Sequence, residues 1–242
     1  MSKVPREVPA SPPASPVADR DAHAEPPAES GRVEAFSDGV LAIVITLLVL
    51  DLRAPDTRGA MLHQLLHQWP VYVAYLASFA YVGVIWVNHH QLFTRIAGVD
   101  TGLLWRNLAL LLTTSVLPFP TAVLGSAFQH GSQRDQTVGL VFYALVSAAM
   151  AATWLALFHY LATNERLLAG NTSAAFFARE RRRALIGVAA YLVAGLAALW
   201  EPVAGLIVAA TLPVFYGATS EGLPRPRTRP AGTSPRARAS RP

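Results

Sequence analysis

Two adjacent histidines, His89 and His90, a carboxylate at Asp38 and an amide at Asn107 are the side chains of this sequence best suited to chemistry. A histidine pair near a carboxylate fits a metal ion or a proton relay. Neighbouring residues on a helix point about 100° apart, however, which places two adjacent rings badly for one metal. A structural hydrogen-bond network is the favoured role, and a pH-sensitive version of it is open because imidazole titrates near neutrality. No nucleophile elbow, phosphate loop or zinc-protease motif occurs. The sequence has no cysteine, which excludes disulfides, thiolate metal sites and thiol catalysis. These observations predict neither an enzyme nor a cofactor.

The elements that carry these residues are membrane helices. Of 242 residues, 52% are hydrophobic and 14% charged, where a soluble domain carries about 25% charged residues. Six apolar runs, near 33–52, 69–90, 104–125, 137–162, 184–200 and 202–217, reach or approach the ~20 residues that cross a hydrocarbon core. The last two are short and are separated by Glu201 and Pro202, so a tight hairpin or a partly re-entrant pair is open. The sequence predicts an all-α membrane protein, a six-helix bundle over 32–217. Residues 1–31 are rich in Pro, Ala, Ser and Glu without an apolar centre, which predicts a disordered tail and no signal peptide. Residues 218–242 read as a second disordered tail, Arg and Pro rich, solvated or lying against anionic lipid headgroups.

Basic residues cluster in tails and connections, a membrane pattern and not that of a nucleic-acid-binding face. Four Lys or Arg precede the first run, two (Arg95, Arg106) follow the second, five (Arg166, Arg179, Arg181, Arg182, Arg183) follow the fourth and six occupy the C-terminal tail. Only Arg53, Arg58 and Arg134 fall on the other side. That bias predicts both termini in the cytoplasm of a multi-pass cell-membrane protein.

The first run is unusual for a membrane helix, because Arg32, Glu34, Ser37 and Asp38 occupy its opening turns. On a helical wheel Ile43, Leu47 and Leu50 lie within about 60° of one another. Gly39 and Thr46 flank that stripe, Asp38 lies about 140° from Ile43, and Ile45 lies on the far side. Taken alone, such a stripe suits a lipid-facing or core surface, with Thr46 bonded back to its own backbone. The second run descends and ends at Trp86, Asn88, His89 and His90, and the third begins at Trp105 and Asn107. Alternating directions place Asp38, His89, His90 and Asn107 at one depth, where polar groups from three helices can fix the register of the bundle. Pro118 and Pro120 should kink or end the third helix.

Three blocks carry a resemblance. Arg32, Phe36, Ser37, Asp38 and Gly39 open the first run; Trp86, His89, His90, Leu92 and Phe93 close the second. Asp100, Leu103, Leu104, Trp105, Asn107, Leu108 and the Pro118-Phe119-Pro120-Thr121 run follow. Over about residues 32–121 the chain resembles the transmembrane-protein-175 potassium channels in their bacterial form. The resemblance implies a six-span protomer, a homotetramer around one pore, and a potassium leak without a carbonyl filter. It implies that the first helix lines the pore, with a constriction at Ile43, a hydroxyl layer at Thr46 and apolar layers at Leu47 and Leu50. It further implies a structural network joining Arg32, Ser37 and Asp38 to Trp86, His89, His90 and Asn107. Potassium is then the permeant ion, and the partners are other copies of the chain and lipid. The rival readings are a cation- or proton-coupled transporter using Asp38 and the histidines, and a membrane metal enzyme.

Overall fold

The computed structural model describes residues 28–52, 54, 60–170 and 172–219. The tail assignments over 1–27 and 220–242, and Arg53 and Arg58, lie outside the described residues. Helix α1 (Ala28–Leu47) continues into a 3-10 turn (Leu48–Asp51), and α2 (Met61–His67) is short. Then follow α3 (Trp69–Phe93), α4 (Thr101–Ser115), α5 (Pro118–His130), α6 (Gln133–Thr163), α7 (Ala174–Ala198) and α8 (Pro202–Thr219). α1 begins inside the stretch read as tail, because Glu29, Ser30 and Gly31 continue the helix upstream of Arg32.

Sequence chemistry sets the ends of these helices. α4 stops at Ser115 and α5 starts with Pro118 at its first position, so the proline pair breaks the third run into two helices. Ser132 caps α6 in a capping box with Asp135, and Ser173 caps α7. Among the described residues five segments are long and apolar enough to cross a membrane: Glu29–Asp51, Trp69–Phe93, Thr101–His130, Gln133–Thr163 and Pro202–Thr219. The run predicted at 184–200 is the later part of α7. Its first half carries Arg179, Glu180, Arg181, Arg182 and Arg183, so the helix as a whole falls short of that criterion.

α6 packs against α4, α5, α7 and α8, while α1 packs on α3 and α4. Gly205 permits the close approach of α8 to α7, since a Cβ there would meet the Ala194 carbonyl oxygen at 2.6 Å. Arg183 and Glu180 are buried together: Nη1 donates to both carboxylate oxygens at 2.8 and 2.7 Å, and Nη2 donates to the Tyr216 carbonyl at 3.1 Å. A guanidinium thus closes the C-terminal end of α8.

Asp100 caps α4, accepting from the Leu103 amide at 2.9 Å. It also receives the Tyr160 hydroxyl at 2.9 Å and Arg166 Nη2 at 3.0 Å, tying α4 to the end of α6. The Leu103 amide, with the Tyr160 and Arg166 donors behind it, holds this carboxyl below the usual carboxylate range. A carboxyl lowered on folding stabilises above its unfolded pKa of about 4 and loses that contribution as pH falls through the lower folded value. Asp100→Ala should therefore cost about 1 kcal/mol at pH 7, the usual value of an N-cap. The gap between wild-type and variant melting temperatures should narrow at pH 3; an equal gap at both pH values would contradict this.

Candidate functional site

α1 has two contrasting faces. Ser37, Leu41, Val44 and Leu48 are buried against the rest of the bundle. Ile43 and Leu50 lie on the opposite side, 60% and 71% exposed, with Leu47 and Thr46 also exposed beside them. The Thr46 hydroxyl donates to the Ile43 carbonyl at 2.8 Å, which leaves its oxygen lone pairs outward. From Ile43 to Leu50 the stripe rises about 10 Å. None of its side chains is ionisable, so its chemistry is limited to excluding water and offering one hydroxyl.

A polar collar sits at the opening turns of α1. His89 Nε2 donates to Asn107 Oδ1 at 3.0 Å, Asn107 Nδ2 donates to Ser37 Oγ at 2.9 Å, and Ser37 donates to the Val33 carbonyl at 2.8 Å. His89, Asn107 and Ser37 are all buried, so this chain of bonds pins α1, α3 and α4 at one level. Farther out, Trp86 Nε1 donates to Asp38 Oδ1 at 3.1 Å, and His90 Nδ1 donates to Glu34 Oε1 at 2.7 Å. The Trp86 and His90 rings stack at 6.4 Å. The His89 ring lies on Phe93 at 4.4 Å.

Six of the seven residues assigned to the network therefore meet across three helices. Arg32 does not join them: it is exposed, about 140° around the helix from Ser37, and makes no hydrogen bond or ion pair with another described residue. Glu34 belongs to the collar and was missed. Its signal was available, because Glu34 and Asp38 lie one turn apart, as do Trp86 and His90, and antiparallel helices match such pairs. The two histidines turn to different partners on different helices. Among the described residues no three His, Cys, Asp or Glu side chains are placed to hold a metal.

This arrangement defines a polytopic helical membrane protein whose first span is bolted at one end to the next two and bare along one aliphatic face. Residues 32–118 match the family described as endosomal/lysosomal potassium channel TMEM175. A potassium channel of Streptomyces collinus is 41% identical over 192 residues, which cover 78% of this chain and 92% of that one. A potassium channel of Chamaesiphon minutus is 43% identical over 147 residues, covering 59% and 70%. The crystal structure of a lysosomal potassium-selective channel TMEM175 homolog from Chamaesiphon minutus matches with a TM-score of 0.70 at 33% identity, over 79% of this chain and 98% of that one. The chain belongs to the TMEM175 family.

Proposed function

We propose that this chain is the protomer of a potassium-selective channel that conducts passively through a pore lined by α1. The observation that carries this reading is the two-faced first helix: Leu41, Val44 and Leu48 are buried, and the Ile43, Thr46, Leu47 and Leu50 side is bare. One such helix encloses nothing, so copies must meet around a symmetry axis, and the reading takes four. A ring of Ile43 side chains is then the neck. A cation passing branched aliphatic carbon sheds part of its hydration shell, and potassium, which holds water less tightly than sodium, meets the lower barrier. Thr46 places a ring of hydroxyls one turn on, followed by the Leu47 and Leu50 layers. The relatives named as potassium channels support this assignment. The chain is no enzyme, and its function calls for no cofactor; potassium is the permeant ion.

The reading includes six spans, with α7 crossing by its apolar part after Arg183, a lipid-facing rim, both termini cytoplasmic, and the 32–217 channel unit extended to Ala28 and Thr219 by the ends of α1 and α8, with the residues beyond as tails. Reporter fusions after Gly131 and after Gly170 should then report opposite sides of the cell membrane; the same side for both would exclude six crossings. A coupled transporter is less well supported. Asp38, Glu34, His89 and His90 are bonded between helices at one end and none lies on the stripe. Reconstituted protein should release potassium from liposomes down its gradient when only charge compensation is provided. Release that requires an imposed proton or sodium gradient would favour the transporter.

A further inference from the structure

We propose that His63 and His67 form a binding site for a divalent first-row transition metal ion at the end of the bundle opposite the polar collar. α2 is short and sharply two-sided. Met61, Leu62, Leu65 and Leu66 are exposed and share an arc of about 140°. This apolar arc suits the boundary between headgroups and acyl chains, which would hold the helix flat on the bilayer. His63, Gln64 and His67 take the other side and line an open cavity of about 540 Å³. Asp51, at the end of the α1 limb, and His130, at the end of α5, line the same cavity.

The spacing that disqualifies His89 and His90 qualifies this pair. Residues four apart on a helix differ by only about 40°. The His63 and His67 ring centroids are 6.1 Å apart with planes inclined by 37°. Two imidazoles on one ion, each bonded at about 2.1 Å, have centroids roughly 5 Å apart. Both side chains are exposed, so a small rotation about their side-chain bonds closes the difference. With no three donor side chains converging among the described residues, the site is a two-imidazole clamp whose remaining positions are taken by water. Imidazole suits nickel, copper and zinc, and copper binds most tightly in that order of metals. A doubly charged ion in the cavity that Asp51 also lines would repel cations arriving at that end of α1. Bound metal should therefore reduce potassium flux, a consequence that rests on the channel reading.

The test uses full-length protein freed of any affinity tag. Calorimetry with NiCl2 in detergent at pH 7.5 should give one ion per protomer. His63→Ala and His67→Ala should each weaken binding at least tenfold, and His159→Ala should leave it unchanged. Copper added to wild type should give an electron-spin-resonance spectrum with coupling to two nitrogens, and this should be lost in the double variant His63→Ala/His67→Ala. Equal nickel binding by wild type and the double variant would overturn the site. In liposomes, nickel should slow potassium release by wild type and leave the double variant unaffected. Slowing that persists in the double variant would overturn the regulatory part. An absence of potassium release before nickel is added would count against the channel reading and leave the calorimetric result standing.

Discussion

Ile43→Asn should raise cation flux and cut the preference for potassium over sodium at least tenfold, equivalent to about 1.4 kcal/mol of lost discrimination. The substitution exchanges a branched aliphatic side chain for a shorter amide that donates and accepts hydrogen bonds. A ring of such amides is wider and wet, and it supplies partners for an ion that has shed water, so the sodium barrier falls further than the potassium barrier. Ile43 is 60% exposed in the protomer, and the fold can therefore carry the change. Ile45 gives the control. It is half-buried and packs against the core, so the conservative Ile45→Val keeps the bundle intact while altering the same helix on its other side. Paired potassium and sodium flux through both variants decides the matter. If Ile43→Asn keeps the wild-type rates and ratio, the constriction lies elsewhere.

Asn107→Leu should damage stability more than any single change on the stripe, by about 2–4 kcal/mol. Asn107 accepts from His89 and donates to Ser37, and all three are buried. Leucine removes both bonds and leaves the His89 Nε2 proton without an acceptor; that orphaned buried donor costs about 1–3 kcal/mol, and the lost bond to Ser37 adds about 1. His89 Nδ1 already has no hydrogen-bond partner among the described residues, so the ring would lose its only one. The collar also sets the rotation of α1, and the assembled species should weaken along with the fold. Asp38→Ala should do the same to a smaller extent, because Asp38 is only half-buried and holds a single bond to Trp86. Melting curves and size-exclusion profiles in detergent measure both. An Asn107→Leu protein that melts and elutes like wild type, with altered ion preference, would move the collar from structure to selectivity.

Much of this was legible in the residues. The hydropathy runs located α3, α6 and α8, and the proline pair marked the break between α4 and α5. Those signals are local, since they depend on run length and on missing backbone donors. Depth in the bilayer was enough to bring Asp38, His89, His90 and Asn107 to one level, because alternating spans constrain where each end falls, and the resemblance added Ser37. The direction of each side chain around its helix was harder to read. Arg32 was grouped with the collar on resemblance, although its angle on the wheel sends it to the bare side. Glu34 was passed over although its angle places it with Asp38. α2 left little trace, because a few residues of two-sided helix fall below the length at which hydropathy speaks. The boundary of α7 was also missed. Its arginines read as a connection, yet Arg183 folds inward to meet Glu180 and the end of α8, a tertiary contact that no local pattern announces.

A passive potassium-selective pore is tested most directly by the reversal potential of the wild-type protein in a planar bilayer with potassium on one side and sodium on the other at equal pH. Such a pore should give a current that reverses far from zero on the side set by potassium, and that stays there when a pH gradient is imposed. A reversal at zero, or one that follows the proton gradient, would contradict it.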